Sequence, residues 1–89
     1  MEADFDALIS ELHRRGELSE LDMRILRELQ TRPGCTIDIS INLCSYPYVI
    51  LERLGYLKSL GLVDETKDAL GSSMWQLSSV WREKTHASA

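Results

Sequence analysis

The stretch YPYVILERLGYLKSLGLV, residues 46–63, concentrates the side chains of this chain that could do chemistry. Wound as a helix at about 100° per residue, it gathers Ile50, Leu54 and Leu57 on one side, with Tyr48, Glu52, Gly55 and Ser59 opposite. Val49 and Tyr56 fall on one shoulder, and Arg53 and Tyr46 lie on that side nearer the apolar boundary. Such an outward face suits a DNA major groove. Arg53 would fork onto guanine or a phosphate, Glu52 would accept from a cytosine amino group, and Val49 would touch a thymine methyl. The hydroxyls of Tyr46, Tyr48 and Tyr56 would reach phosphates, and Ser45, a good N-cap, would hold one at the helix N-terminus. The same face also suits a protein, because tyrosine is enriched and lysine depleted at the centres of protein interfaces. Gly55 in mid-helix costs about 1 kcal/mol relative to alanine. That cost implies close approach by a DNA backbone, a second helix or a neighbouring side chain.

Other chemistries find no residues to carry them. No nucleophile–base pair, phosphate loop or metal-spaced cluster is present, so neither an enzyme nor a metal or cofactor site is expected. His13 and His86 stand alone, and Cys35 and Cys44 make no CxxC pair. If the segment between the cysteines is helical, their Cα atoms lie roughly 13 Å apart, beyond disulfide reach. Buried, inert thiols are the expectation. No apolar run approaches the ~18 residues of a membrane span. The N-terminal MEADFDALISELHRRG is acidic and amphipathic, unlike a secretory or transit peptide, and points to the cytoplasm by default.

The 89 residues suffice for one domain with a modest core, and 44% hydrophobic with 27% charged residues argues against wholesale disorder. The net charge of −4 opposes nonspecific DNA binding. Its distribution runs the other way. Residues 1–23 carry −5, residues 24–58 carry +2 and residues 59–89 carry −1, so the positive segment is the one that would have to touch DNA.

The elements that position these residues follow from periodicity and end signals. Phe5, Leu8, Ile9 and Leu12 form the stripe of an amphipathic helix stopped by Gly16. It serves either as one more core helix or as a dimerisation arm. Ser19 and Asp22 make a short-armed capping box for a helix over Glu20–Thr31, whose apolar face is Leu21, Ile25, Leu26 and Leu29. The "RPG" at 32–34 ends it. In TIDISINLCS, residues 36–45, Ile37, Ile39, Ile41 and Leu43 alternate with polar residues like a strand. The flanking helices favour instead a short helix capped by Thr36, with Ile39 and Leu43 facing the core. Ser45 to Pro47 opens the next helix, and Gly61 suits its left-handed C′ position. LVDETK and MWQLS, flanking DALGSS, predict a β-hairpin with Trp75 and Leu77 on one face. Ser79 is placed to cap a last short helix at Val80 and Trp81.

This order predicts a mostly α fold with a small β-hairpin wing, a winged helix-turn-helix with an extra N-terminal helix. LSELDMRILRELQ (18–30) resembles the opening helix of the DNA-binding domain of Lrp/AsnC-type regulators through Leu18, Leu21, Asp22, Ile25, Leu26, Leu29 and Gln30. Pro47, Leu51, Glu52, Arg53, Leu57 and Gly61 resemble that family's recognition helix. Leu54, Leu57, Gly61 and Leu62 follow a spacing shared with MarR-type and archaeal phage-repressor-like winged helices. Two departures stand out. Too few residues follow the hairpin for the family's ligand-sensing domain, so no amino-acid effector is expected. The turn before the recognition helix carries Cys44 where related sequences favour glycine. Cysteine dislikes positive φ, so either the turn differs or the preceding segment is not a standard helix.

The resemblance implies a sequence-specific transcriptional regulator that binds double-stranded DNA as a homodimer. The expected DNA contacts are Ser45, Tyr46, Tyr48, Val49, Glu52, Arg53, Tyr56 and the wing residue Lys67. Ser72 or Ser73 in the wing, and Arg24, Arg27 and Arg32, are expected to add backbone contacts. Residues 1–16 are the first choice for the dimer contact, through Phe5, Leu8, Ile9 and Leu12; residues 17–81 form the winged domain and 82–89 a frayed tail. The competing expectation is a winged-helix module that binds protein and no DNA.

Overall fold

Helix α1 (Ala3–Arg14) leads into α2 (Glu20–Thr31), then strand β1 (Gly34–Cys35), helices α3 (Thr36–Asn42) and α4 (Pro47–Ser59), and strands β2 (Val63–Lys67) and β3 (Ser73–Leu77). This is a computed structural model, and it describes residues 3–79. The expected terminal helix at Val80 and Trp81 and the frayed tail at 82–89 lie outside the described residues. The architecture is a winged helix-turn-helix with an added N-terminal helix, as the periodicity predicts. The wing is larger than expected. β1 joins the hairpin, giving an antiparallel sheet of order β1-β3-β2 in which Gly34 opposes Trp75 and Cys35 opposes Met74. A two-residue strand leaves no periodic trace in the sequence.

The alternation at 37–43 divides between two faces of a helix. Ile39 and Leu43, four residues apart, are buried, while Ile37 and Ile41, also four apart, are 53% and 66% exposed. Thr36 does not cap α3: Cys35 holds the N-cap position without a side-chain bond. The Thr36 hydroxyl instead accepts from the buried Trp75 indole N–H at 3.1 Å, tying α3 to the sheet.

Three helices end by one closure. After α1, Gly16 N–H donates to His13 O and Glu17 N–H to Leu12 O; after α4, Gly61 N–H donates to Lys58 O and Leu62 N–H to Leu57 O. Gly16 and Gly61 take φ of 82° and 79°. This paired-bond ending needs a left-handed residue. After α3 the same pair forms, Cys44 N–H to Ile41 O and Ser45 N–H to Ser40 O, with Cys44 held at φ 53°. The helix is regular and the turn keeps its positive φ; a cysteine occupies it. The expectation of buried thiols is also corrected, since Cys44 is exposed and Cys35 half-buried.

Ile25, Leu26, Ile50, Leu54 and Leu57 are fully buried where α2 crosses α4, and Trp75 and Leu77 close the core from the sheet. Phe5 and Ile9 of α1 are each 2% exposed within this single chain, with Leu8 and Leu12 packed against the same core. Of the two expectations for this helix, the structure shows the core helix: its own domain covers the stripe that was the first choice for the dimer contact.

The capping box forms as expected. Ser19 Oγ accepts from Asp22 N–H at 3.2 Å, and Ser19 N–H donates to Asp22 Oδ2 at 2.9 Å. Asp22 has a second partner. Arg53 of α4 donates from Nε to Oδ1 at 2.8 Å and from Nη2 to Oδ2 at 2.7 Å. Asp22 is wholly buried. Burial pushes its carboxyl up, but the Arg53 hydrogen bonds and the Ser19 amide outweigh that and hold it below the usual aspartate value. The forked pair bolts the N-terminus of α2 to the middle of α4.

Three outcomes are expected. Arg53→Ala strands a buried carboxylate and should destabilise the fold by about 3–5 kcal/mol, read from urea unfolding; Asp22→Leu with Arg53→Met should recover much of that loss. A depressed folded pKa means that the pair's contribution is present above the unfolded aspartate pKa of about 3.9 and is lost as pH falls through the folded value. Asp22→Asn should remove that acid-side component. Cys44→Gly relieves a left-handed side chain and should stabilise by about 0.5–1 kcal/mol; an unchanged or lower melting temperature would count against strain at this turn.

Candidate nucleic-acid interface

Helix α4 turns Ile50, Leu54 and Leu57 inward, which leaves Tyr48, Leu51, Glu52, Gly55, Lys58 and Ser59 facing solvent. No atom from elsewhere in the domain lies within 4 Å of a Cβ built on Gly55. The close approach inferred from its helix cost is therefore not made by a neighbouring side chain of this domain. Tyr46 and Tyr48 are 69% and 72% exposed and stack at 5.8 Å between ring centroids, 24° from parallel. Val49 is half-buried on the shoulder.

Three expected contacts are placed differently from the expectation. Arg53 is not an outward base reader, because its guanidinium forks onto Asp22 and lies 4.6 Å over the Tyr56 ring. The Asp22 hydrogen bonds, foremost, raise its pKa. Tyr56 donates its hydroxyl to the Glu17 carbonyl oxygen at 2.7 Å, so it braces α4 against the α1–α2 loop. Ser45 is half-buried and is not the N-cap; Tyr46 holds that position without a side-chain capping bond, and Pro47 follows in the first turn. A sequence shows that an arginine sits on a helix shoulder but not that an aspartate 31 residues earlier meets it.

The other cations near this face have partners within the domain. Lys58 Nζ donates to Glu65 Oε1 at 3.1 Å, and Lys67 lies 3.6 Å from the other Glu65 oxygen while donating to Ser73 Oγ at 3.0 Å. The Ser73 hydroxyl also donates to Glu65, and that bond with the Lys58 bond holds the carboxyl below its usual range. At the wing tip, Asp68 accepts from the Leu70 and Ser72 amides at 2.9 Å each, shaping a turn that leaves Leu70 exposed. Arg32 lies 3.7 Å from Glu28. Arg24 donates to the Leu43 carbonyl oxygen at 3.2 Å, and so supports the turn between α3 and α4.

One surface was missed from sequence. Ile37 and Ile41 of α3, with Cys44, Tyr46 and Pro47, line an open groove of about 520 Å³ at the entry to α4. Leu51 is also 51% exposed. The available signal was the i, i+4 spacing of Ile37 and Ile41 on the side of α3 away from Ile39. Among the described residues, no three His, Cys, Asp or Glu side chains gather to hold a metal ion. No helix there is long and apolar enough to cross a membrane.

No family model and no curated protein matches the sequence. Solved structures do match the fold. The ST1889 protein of the thermoacidophilic archaeon Sulfolobus tokodaii aligns at 19% identity and TM-score 0.72, over 92% of this chain and 83% of that one. The transcriptional regulator BldR of Sulfolobus solfataricus aligns at 16% identity and TM-score 0.67, over 97% and 72%. A point mutant of Lactococcus lactis ZitR aligns at 19% identity and TM-score 0.67, over 80% of this chain. This chain spans about half, 51%, of that ZitR chain. At these identities the likeness shows the fold alone, a winged helix-turn-helix with an added N-terminal helix.

Proposed function

We propose that this domain binds double-stranded DNA as a sequence-specific transcriptional regulator of winged-helix type, acting as a homodimer on two half-sites. The observation that carries the reading is the outward side of α4, free of the domain's own core. Tyr46, Tyr48, Val49 and Glu52 supply the contacts to base edges and nearby phosphates, and Lys67 and Ser45 supply backbone contacts. Arg53 and Tyr56 act one step back, holding α4 at its angle. Readout then depends on shape and apolar contact more than on charge, because Arg53, Lys58 and Lys67 are each paired with a carboxylate. Two copies on half-sites about one DNA turn apart would double the few contacts one domain offers.

A second reading has its own support. Ile37, Ile41, Tyr46, Tyr48 and Leu51 are all more than half exposed, and apolar and aromatic surface of this kind suits a protein partner.

A binding selection from genomic fragments with the purified chain should enrich one palindrome. Affinity for it should fall with salt, with a slope of about 0.9 per phosphate contact. Tyr48→Ala should weaken binding about tenfold at an unchanged slope. Gly55→Ala should raise the melting temperature, since alanine is favoured by about 1 kcal/mol, and still weaken binding. No enriched sequence, together with loss of a co-purifying protein on Tyr48→Ala, would replace the DNA reading with the protein one.

A further inference from the structure

The cations among the described residues are nearly all occupied. Among the described residues Arg14, Arg15, Arg32, Arg53, Lys58 and Lys67 each pair with a carboxylate, and Arg24 bonds the Leu43 carbonyl. The Arg27 guanidinium is left without a protein partner among those residues. It lies where α1 passes α2, beside a cavity of about 230 Å³ lined by Ser10 and His13 from α1 and by Glu20, Met23, Arg24 and Arg27 from α2. Ser10 and His13 are one turn apart, as are Arg24 and Arg27, so donors from two helices converge on one space.

We propose that this cavity is a phosphate-binding site. The donor set decides the ligand class. Each guanidinium carries five N–H donors in a fixed fork; Arg27 has all of its own free, and Arg24 spends its Nη2 bond on Leu43. The Ser10 hydroxyl and the His13 imidazole add donors from the opposite helix. A carboxylate ligand would be satisfied by one arginine fork. A tetrahedral phosphate offers oxygens to both helices at once and matches arginine geometry. Glu20 is the acid that lines the cavity. It stands at the rim, 82% exposed and 3.9 Å from His13 Nε2, and two guanidiniums outweigh it. The phosphate belongs either to a nucleic-acid backbone or to a free anion. In either case Arg24 links the site to the turn between α3 and α4, because its other contact is the residue that ends α3. The site stands on this cavity and not on the outward face of α4.

The test is NMR on the full chain with labelled arginine side chains, at fixed pH. Inorganic phosphate is titrated against chloride at matched ionic strength, and a duplex of about two helical turns is titrated in parallel. A saturable shift of the Arg24 and Arg27 Nε–H signals and of the Leu43 to Ser45 amides is expected in at least one arm. Arg27→Gln should weaken that binding about tenfold, and Glu20→Gln should tighten it about threefold. Both substitutions fall on exposed side chains, and unchanged amide spectra elsewhere establish that the fold is intact. Shifts with inorganic phosphate alone assign a free anion. Shifts with the duplex alone, with the salt slope reduced by about 1 in Arg27→Gln, assign a nucleic-acid backbone. If neither arm moves these signals, or if Arg27→Gln responds like the parent chain, the site is overturned. A duplex that binds while the cavity signals stay still overturns the site and leaves the DNA reading intact.

Discussion

The wholly buried carboxylate of Asp22 organises this small fold. It closes the capping box that starts α2, and it receives the forked guanidinium of Arg53 from the middle of α4. A buried ion is tolerable when hydrogen bonds and an opposite charge replace its water. Here two arginine nitrogens and the Ser19 amide do so, against the upward push of burial on the carboxyl. Apolar packing between α2 and α4, through Ile25, Leu26, Ile50, Leu54 and Leu57, supplies attraction and turns one side of α4 inward. A bidentate pair has only one good register. Arg53 stacked over Tyr56, and the Tyr56 hydroxyl on the Glu17 carbonyl, extend that constraint to the loop before α2. The apolar stripe of α4 thus chooses the side that meets solvent, and polar contacts on its shoulder fix the register.

That arrangement decides the character of the exposed face. Arg53 is spent on holding the helix, and Lys58 and Lys67 share the one Glu65 carboxylate across the base of the wing. Alongside Asp38, Asn42, Glu52, Lys58 and Ser59, α3 and α4 present Ile37, Ile41, Tyr48, Leu51 and the bare Gly55 outward. A surface of this kind gains little from long-range attraction to a polyanion, and specificity there must come from fit and apolar contact. The net charge of −4 has the same consequence for the whole chain.

Local signals carried most of the fold, because each acts within a few residues. The Gly16 and Gly61 stops, the Ser19–Asp22 box and the boundaries of α2 and of the hairpin were all legible. The alternation at 37–43 was ambiguous because so short a run can satisfy both periods. The buried Ile39 and Leu43 and the exposed Ile37 and Ile41 together mimic a strand. The candidate site was harder to read, because its residues are sorted by contacts across the chain. Arg53 and Tyr56 have the right chemistry for DNA, yet their partners are Asp22 and Glu17. Phe5 and Ile9 made a stripe that needed covering, and no sequence pattern tells whether the cover is a second copy or the chain itself.

The positions that break local rules are not scattered. Cys44 holds a left-handed conformation that the chain gives to glycine after α1 and α4, and it borders the same groove as the exposed Ile37, Ile41 and Tyr46. Tyr46 stacks on Tyr48, and Tyr48 lies with Leu51 and Gly55 along the outward side of α4. Strain at Cys44, helix cost at Gly55 and apolar exposure at Ile37, Ile41 and Leu51 each lower stability or solubility. Departures from local consistency concentrate where function competes with folding. Their convergence on the turn and the open face of one helix-turn-helix marks a candidate working surface without reference to charge. It also gives a reason for burying the ion pair one shoulder away. A face built of poor folding choices needs a rigid support behind it, and Asp22 with Arg53 provides that support.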